Sequence, residues 1–342
     1  MPALCRIAIV GLGMAVTPHA KSLLELQEAG DVEVAGIWSP TEARRHSVGA
    51  LYGFPVRASF ESIVQDPATD AVLLLTPPNA RLELVESLAR AGKHILTEKP
   101  LERTTAAAER VVALCAAAGV RLGVVLQHRF RPAALRLRAL LAEGALGEPS
   151  IVQLSIPWWR PQSYYDVPGR GTLARDGGGV LISQAIHPID LMLSLAGPVA
   201  SVAAVAGTSR LHKMETEDTV GAGLRFANGA LGSLFATTAC YPGAGEQLSL
   251  VCTGGTATIA AGSLHVAWHD GRVEQLAGEA QTGGGADPMA FSNAAHRALI
   301  ADFIDAIRQG RDPAISGQAA LGVHRLIDAL LLSAHEGRSI AL

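Results

Sequence analysis

Two side chains capable of acid–base chemistry stand beside residues that restrain their backbone. Lys99 comes just after the apolar stretch His94–Thr97 and directly before Pro100. His187 lies in a stretch of helical period that follows a run of three glycines, Gly177–Gly179. An imidazole exchanges protons near neutral pH, and an ammonium group stabilises negative charge that develops on oxygen. The two residues could therefore take the proton from a hydroxyl group and stabilise the oxygen that remains.

Helical spacing gathers polar residues around His187. One helix face of the stretch Val180–Leu195 carries, at i, i+4, i+7 and i+8, the residues Ser183, His187, Asp190 and Leu191. A polar stripe on an apolar helix is not expected to face a core, which favours a functional role for His187. The alternative for His187 is a buried histidine bonded to a backbone carbonyl. The alternative for Lys99 is an ion pair with Glu98 or a surface position.

A glycine-rich turn near the start of the chain predicts a dinucleotide site. Gly11, Leu12, Gly13 and Met14 follow the apolar stretch Arg6–Val10 and open a helical stretch. Gly11 permits a tight turn, and Gly13 lets the backbone approach a pyrophosphate that the helix N–H groups would bind. The third position of the fingerprint is Val16, where Gly or Ala is usual. The alternative is that the glycines serve turn geometry alone.

The end of the second apolar stretch, Val32–Trp38, should discriminate between the two nicotinamide cofactors. An acidic residue there would bind the ribose 2′-hydroxyl of NAD. The chain has Ser39 instead, with Arg44 and Arg45 close behind. A hydroxyl and nearby guanidinium groups suit a 2′-phosphate, so the sequence favours NADP over NAD. The alternative is that Arg44 and Arg45 are ordinary solvated helix charges.

The elements around these residues predict an α/β protein of two domains. Up to about residue 126, short apolar strands alternate with helical stretches, which is typical of a doubly wound parallel sheet of Rossmann type. After about residue 130, turn pairs such as Asn228-Gly229 and Asp270-Gly271 separate strand-like runs. We expect a Rossmann domain over 1–126 and an α+β domain with a large, mostly antiparallel open sheet over 127–342. The closing helices are candidates for packing back on the first domain.

Composition excludes several classes of partner. Of 342 residues, 49% are hydrophobic and 17% charged, with a net charge of −3, so neither nucleic acid nor a membrane surface is expected to bind. No apolar run reaches the roughly 18 residues that a membrane span needs. The four cysteines lack a CxxC spacing, which predicts reduced thiols and a cytoplasmic protein. The histidines show no metal-ligand spacing, and no metal is predicted; those considered are His212, His265, His269 and His296.

Five motifs in order resemble those of the Gfo/Idh/MocA oxidoreductases. They are Gly11-Leu12-Gly13, Thr76-Pro77-Pro78-Asn79, Glu98-Lys99-Pro100, Gln127-His128-Arg129-Phe130 and Gly177-Gly178-Gly179 followed by His187-x-x-Asp190. The resemblance implies a two-domain NAD(P)-dependent enzyme that acts on sugars, inositols, sugar nucleotides or related polyols. It implies an active site between the Rossmann domain and the open sheet. It also implies that Lys99 lies beside the nicotinamide, before a cis proline, and that His187 is the acid/base.

Further binding residues follow from position and from the resemblance. Thr76, Pro77 and Asn79 follow the third strand, where the nicotinamide-side ribose should lie, although a plain turn is the alternative. Glu98 and Gln127 join the expected cofactor residues. The segment 158–166 resembles the substrate-binding stretch of members that act on sugar nucleotides and aminosugars, with a core or interface role as the alternative. Expected substrate contacts, besides Lys99 and His187, are Arg160, Tyr164, Tyr165, Ser183 and Gln184.

The chain departs from the family pattern near His187. Ser183 stands where many members have Asp, and Ala185 where many have Gly, which leaves a Lys99–His187 pair with Asp190 as orienter. Two other functions stay open: a dinucleotide sensor without catalysis, and a lyase or glycosidase that uses bound NAD transiently. The open sheet is expected to form a homodimer or homotetramer, because exposed apolar strands otherwise aggregate.

Overall fold

The computed structural model describes residues 4–278 and 292–342, and the chain divides into two compact units. The first unit combines Met1–Gln127 with Asn293–Leu321, and the second combines His128–Ser292 with Gly322–Leu342. The first unit thus takes in residues from both sides of the boundary expected after residue 126. Each unit has a sheet of its own.

The sheet of the first unit is parallel throughout. Its strands are β1 (Cys5–Val10), β2 (Val32–Trp38), β3 (Ala71–Leu74), β4 (His94–Thr97) and β5 (Leu122–Val124), in the order β2-β1-β3-β4-β5. Every residue of β3 is buried, as expected for a strand covered on both faces. Strand order reverses between β1 and β3, so ligands are expected at their carboxyl ends. The predicted Rossmann architecture is confirmed.

Among the described residues, six α-helices lie within the first unit. They are α1 (Val16–Glu28), α2 (Glu42–Tyr52), α3 (Glu61–Val64), α4 (Leu82–Arg90), α5 (Thr105–Ala117) and α9 (Ala294–Gln309). Helix α9 comes late in the chain yet packs on α1. Ser22 of α1 donates a hydrogen bond to the carbonyl of Asn293, at 3.2 Å, just before α9 begins. One layer of the Rossmann unit is therefore built from both ends of the sequence.

The second unit carries a nine-stranded sheet. Its strands are β6 (Pro149–Pro157), β7 (Val199–Gly207), β8 (Thr219–Phe226), β9 (Leu231–Thr237), β10 (Gln247–Cys252), β11 (Gly255–Ala260), β12 (Ser263–Trp268), β13 (Val273–Leu276) and β14 (Ile340–Ala341). Their order is β13-β12-β11-β10-β6-β9-β8-β7-β14, and only β6 and β9 pair in parallel. The turns at Asn228-Gly229 and Asp270-Gly271 join antiparallel strands as predicted.

One face of this large sheet is covered and the other is open. Alternate residues of β6, such as Val152 and Leu154, are buried, and α8 (Ile186–Ala196) packs on this strand. The intervening positions, such as Ile151, are exposed. The second unit also contains α6 (Pro132–Ala142) and α7 (Gln162–Tyr165), and α10 (Gly317–Glu336) starts in the first unit. The predicted mostly antiparallel sheet is confirmed.

Across the two described ranges, no helix combines the length and the apolar character needed to cross a bilayer. All four cysteines are free thiols, and three of them are buried; the exposed one is Cys240. Burial raises the pKa of the Cys5 and Cys115 thiols to about 12, so these two groups are unreactive packing residues.

Candidate active site

The glycine-rich turn has room for a pyrophosphate. Gly11 adopts φ +96°, and a Cβ there would lie 2.8 Å from the Leu75 carbonyl carbon, so only glycine fits. A Cβ on Gly13 would meet no described atom within 4 Å, which leaves the space beside that backbone open. Helix α1 begins after Ala15, has no acidic residue in its first turn and has no side-chain cap. Its first N–H groups can therefore bind an anion, and the turn fits a dinucleotide.

The residues expected to read the cofactor's adenosine ribose lie close to this turn. Arg44 on α2 donates to the Leu12 carbonyl at 3.2 Å, and Arg45 donates to the Ser39 carbonyl at 2.8 Å. Ser39 is buried, and its hydroxyl donates to the Thr41 carbonyl at 3.3 Å. The structure thus brings the Arg44 guanidinium group to the backbone of the glycine turn, and a contact of these residues with a cofactor stays a prediction.

The turn after β3 and the segment after β5 each hold a polar atom that lacks a hydrogen-bond partner among the described residues. These atoms are Thr76 Oγ1 and Gln127 Oε1, and both are buried. Buried polar groups are normally paired, so each is suited to a ligand group. Pro77 and Asn79 of the same turn are exposed. The role of these four residues with a cofactor stays a prediction.

Lys99 follows β4, and the side chain of Glu98 holds its backbone. The Lys99 N–H donates to Glu98 Oε2 at 3.0 Å, and His19 Nε2 on α1 lies 2.8 Å from Glu98 Oε1. Burial alone would raise the pKa of Glu98, but the His19 hydrogen bond and nearby positive charge lower it to about 2. The carboxylate is therefore ionised at neutral pH and accepts both hydrogen bonds. The peptide bond between Lys99 and Pro100 is cis.

The same carboxylate belongs to a group that the sequence did not reveal. His19, Glu98 and His296 place one possible metal-ligand atom each within 4.8 Å of one another, and the two imidazole rings meet edge to face at 5.0 Å. The 2.8 Å contact between His19 and Glu98 is a normal hydrogen-bond length, so a proton already accounts for the closest pair. The expectation of no metal stays a prediction.

Arg81 is a buried charge at the same edge of the sheet, and the motifs of the sequence do not reveal it. Its guanidinium group donates to the backbone carbonyls of Thr76, Pro100 and Leu101. The side chain is 2% exposed. Arg81 lies 19 residues before Pro100 in the sequence, and only folding of β3 beside β4 brings them together.

In the second unit, the glycine run before His187 has a packing cause. A Cβ on Gly179 would lie 1.8 Å from the Glu217 carbonyl oxygen, so no larger residue fits. The Glu217 carboxylate accepts the N–H groups of Gly179 and Leu181, each at 3.1 Å. The chain then makes a π-helical turn over Leu181–Ala185 before α8 begins. The sequence predicts one regular helix over Val180–Leu195, and the π turn interrupts it. Such turns within helices are frequent at functional sites.

His187 stacks on His128 near the start of α8. The two ring centroids are 5.0 Å apart and the planes differ by 22°. Asp190, one turn later, is fully buried and accepts two hydrogen bonds from the Arg129 guanidinium, at 2.7 and 2.5 Å. Burial raises the pKa of Asp190, and the Arg129 charge opposes that shift. The expected role of Asp190 as orienter of His187 stays a prediction; its ion pair with Arg129 anchors α8.

A polar cluster lies on the π turn beside the histidine. Gln184 Nε2 donates to the Tyr165 hydroxyl at 3.3 Å, and that hydroxyl lies 2.6 Å from Thr238 Oγ1. Gln184 Oε1 is buried without a hydrogen-bond partner among the described residues. Burial raises the pKa of Tyr165 to about 12, so this phenol stays neutral at physiological pH. Ser183 donates to the Gly179 carbonyl at 2.5 Å.

The arginine and tyrosines of segment 158–166 are packed against each other. Arg160 is buried, and its guanidinium carbon lies 5.8 Å from the ring centroids of both Trp158 and Tyr164. Arg170 covers Tyr164 at 4.0 Å. His212 Nε2 lies 2.8 Å from the Arg160 carbonyl, while its Nδ1 lies 2.8 Å from Asp218. Arg160 and Tyr165 are buried, as the alternative core role would have them, and contact of this segment with a substrate stays a prediction.

Two family models match the chain. An oxidoreductase-family model for an NAD-binding Rossmann fold matches residues 5–126, and a GFO/IDH/MocA C-terminal domain model matches residues 134–258. Inositol 2-dehydrogenase of Rhizobium meliloti is 25% identical over 348 residues, covering 98% of this chain and 99% of the relative. Myo-inositol 2-dehydrogenase of Thermotoga maritima is 27% identical, covering 66% of each.

Solved structures give the same result for the fold. The WlbA dehydrogenase of Bordetella pertussis, solved with NADH and UDP-GlcNAcA, is 27% identical with a TM-score of 0.82 and covers 99% of each chain. A levoglucosan dehydrogenase solved with NADH and levoglucosan reaches a TM-score of 0.87 at 22% identity, covering 99% of each chain. Both similarities extend through the Rossmann sheet and the open sheet.

Proposed function

Because the chain belongs to the Gfo/Idh/MocA oxidoreductase family, we propose that it interconverts a hydroxyl and a carbonyl on a sugar, inositol, sugar nucleotide or related polyol. The observation that carries this proposal is the Lys99 backbone, held on ionised Glu98 at the sheet edge that also bears the open Gly13 turn. Relatives named as inositol and sugar dehydrogenases support the substrate class.

The residues divide the proton chemistry between them. The nicotinamide, when bound, accepts a hydride from carbon or returns it. Lys99 donates a hydrogen bond to the reacting oxygen and stabilises its negative charge. His187 takes the hydroxyl proton in oxidation and gives it back in reduction. Stacking on His128 holds the His187 ring in one orientation for this transfer.

The cofactor we propose is NADP rather than NAD. The chain belongs to an NAD-binding family, and the ribose end of its site has Ser39 and Arg44 where NAD specificity calls for an acidic residue. Arg44 already lies against the glycine turn, 3.2 Å from the Leu12 carbonyl, which supports a contact with a 2′-phosphate. The four free thiols support a cytoplasmic location.

A second copy of the chain is the partner that we propose for the open sheet. Val205, Leu231, Phe235 and Ile151 are 73%, 52%, 42% and 46% exposed, and strand register sets them on the uncovered face. A broad apolar sheet face of this kind is a self-association surface. Light scattering should give a dimer or tetramer for the wild type and a smaller species for Phe235→Asp with Leu231→Asp.

The test of the activity is a substrate screen on the purified chain. Reduced cofactor should appear with NADP⁺ and at least one sugar or polyol, and fluorescence titration should show NADPH binding. Binding of NADPH without turnover across the panel would favour the non-catalytic sensor. Conversion of substrate without net change in cofactor would favour a lyase or glycosidase that uses bound NAD transiently.

A further inference from the structure

Arg81 is among the largest fully buried side chains of the described residues, and it lies at the start of α4. Its Nε and Nη2 donate to the Thr76 carbonyl at 3.0 and 2.6 Å. Its Nη1 donates to the Pro100 carbonyl and lies 3.5 Å from the Leu101 carbonyl. The guanidinium thus bonds two loops at once, each of which follows a parallel strand.

The two loops are those that carry proposed site residues of the first unit. Thr76 begins the turn after β3, and Pro100 follows Lys99 directly. Because Arg81 reaches both through backbone carbonyls, it fixes main-chain positions without contributing a side chain to the site. Beyond the pairing of β3 with β4, one rigid group therefore bonds the Thr76 turn to the residue that follows Lys99.

The charge on Arg81 persists despite its burial. Burial lowers the pKa of the guanidinium to about 10, and the carboxylates of Glu98 and Glu102 oppose this shift. The group is therefore protonated at neutral pH and keeps all five donors. Its fork geometry is rigid, unlike that of the flexible, single-point ammonium of lysine.

Stability alone is a poor reason for this arrangement. A buried ion loses several kcal/mol of hydration, and apolar residues of similar size often replace buried charges without loss of stability. What a hydrophobic residue cannot supply is directed hydrogen bonds to two separate loops. Arg81 therefore fixes the positions of two loops at this edge of the sheet.

The chain contains a natural comparison for Arg81. Lys93 is also a buried cation, 6% exposed, and its ammonium donates to the backbone carbonyls of Asp66 and Thr69 at 2.6 and 2.8 Å. It directly precedes β4, whereas Lys99 follows that strand. Arg81 and Lys93 both donate to backbone carbonyls. The partners of Arg81 follow strands β3 and β4, whereas those of Lys93 precede β3.

We propose that Arg81 is a positioning residue that holds the Lys99 peptide and the Thr76 turn at the spacing that catalysis needs. The inference rests on the proposed function and deepens it. Loss of this bond should displace Lys99 while leaving the Gly11–Gly13 turn intact. A displacement of about 1 Å can lower the rate by up to about 10²-fold.

The experiment compares Arg81→Met with Lys93→Met in the full-length protein. We expect Arg81→Met to lower kcat by about 10- to 10²-fold, with the Kd for NADPH changed less than about 3-fold. Lys93→Met should keep kcat near wild type whatever it does to the urea midpoint. Equal losses of kcat in the two variants, or wild-type kcat in Arg81→Met, would overturn the proposal.

Chemical rescue separates positioning from mere packing. Arg81→Ala leaves a cavity that a free guanidinium ion fits, so millimolar guanidinium should restore part of its kcat, and it should not raise kcat in Lys93→Ala. Arg81→Lys keeps a cation but not the fork, and should fall between wild type and Arg81→Met. Rescue of both alanine variants alike, or of neither, would count against a positioning role.

Hydrogen exchange tests the bond without turnover. Amides of residues 76–79 and 98–102 should exchange faster in Arg81→Met than in the wild type, and no faster in Lys93→Met. If no substrate turns over but this difference appears, the proposed function fails while the bond between the loops stands. If turnover is found and exchange in these loops is unchanged, the inference about Arg81 fails by itself.

Discussion

The two proposed catalytic residues are supported in different ways. At Lys99, charged side chains act on the backbone: Glu98 accepts the Lys99 N–H, and Arg81 donates to the carbonyl of Pro100, the following residue. At His187, the side chain itself is supported, by the stacked ring of His128, while an ion pair of Asp190 with Arg129 anchors the helix. Lys99 follows a strand, so its main chain must be fixed by other groups. His187 lies on a helix whose hydrogen bonds already fix the main chain, so only its ring must be oriented.

The largest expected effect breaks the anchor of α8. Arg129→Leu leaves the Asp190 carboxylate buried without its cation, which should cost about 3–5 kcal/mol in the free energy of unfolding. Urea unfolding followed by circular dichroism measures it. Arg272→Leu is the matched control, because it breaks the exposed pair with Asp270 and should leave the free energy of unfolding near that of the wild type.

A second substitution shows whether the loss comes from the stranded charge. Arg129→Leu combined with Asp190→Leu removes the whole ion pair and should recover most of the lost stability. If the single variant is as stable as the Arg272→Leu control, the ion pair does not anchor the helix. The account given above of how the helix that carries His187 is held in place would then be wrong.

The next effect concerns the two residues themselves. Lys99→Ala and His187→Ala should each lower kcat by about 10²-fold or more, because each removes a group proposed to touch the reacting oxygen or its proton. The Kd for NADPH, measured by fluorescence titration, should stay near wild type in both. A variant that keeps near-normal kcat removes its residue from the mechanism, whatever supports that residue.

The sequence predicted the elements well because their signals are local. Apolar runs and glycine turns predicted the alternating strands and helices of the Rossmann unit and the hairpin at Asn228-Gly229. The glycine run before His187 was recognised as a motif. Its cause, contact with the Glu217 backbone, lies 38 residues away and is not visible in local spacing.

The supports of the site were missed for the same reason. Arg129 was recognised within a motif, but its pairing with Asp190, 61 residues away, depends on tertiary structure. The π turn over Leu181–Ala185 has no signature in hydrophobic periodicity, so a regular helix was expected there. Arg81 is buried beside the Thr76-Pro77-Pro78-Asn79 turn. An isolated arginine at this position was the one sign of these supports in the sequence, because a cation there needs hydrogen-bond partners.

A smaller effect tests the proposed cofactor-binding residue Arg44 in the first unit, which also carries Lys99. Arg44→Ala should raise the KM for NADPH by about 10-fold and leave the KM for NADH unchanged, because one charge-assisted hydrogen bond to a 2′-phosphate is lost. Arg90→Ala, which removes an exposed cation from α4, is the control for net charge. Steady-state kinetics with both cofactors gives the result. Equal KM changes for NADPH and NADH would show that Arg44 only shapes the turn through Leu12.

The smallest expected effect concerns Ser183, where many family members carry a carboxylate. Its hydroxyl already donates to the Gly179 carbonyl at 2.5 Å, within the π turn that precedes His187. A neutral hydrogen bond contributes about 0.5–1.5 kcal/mol, so Ser183→Ala should lower kcat/KM by less than about 10-fold. Ser194→Ala is the matched control, because its hydroxyl donates in the same way to the Leu191 carbonyl at 2.8 Å. A loss of about 10²-fold in Ser183→Ala alone would make the hydroxyl part of the proton transfer, and the two-residue scheme would need a third member.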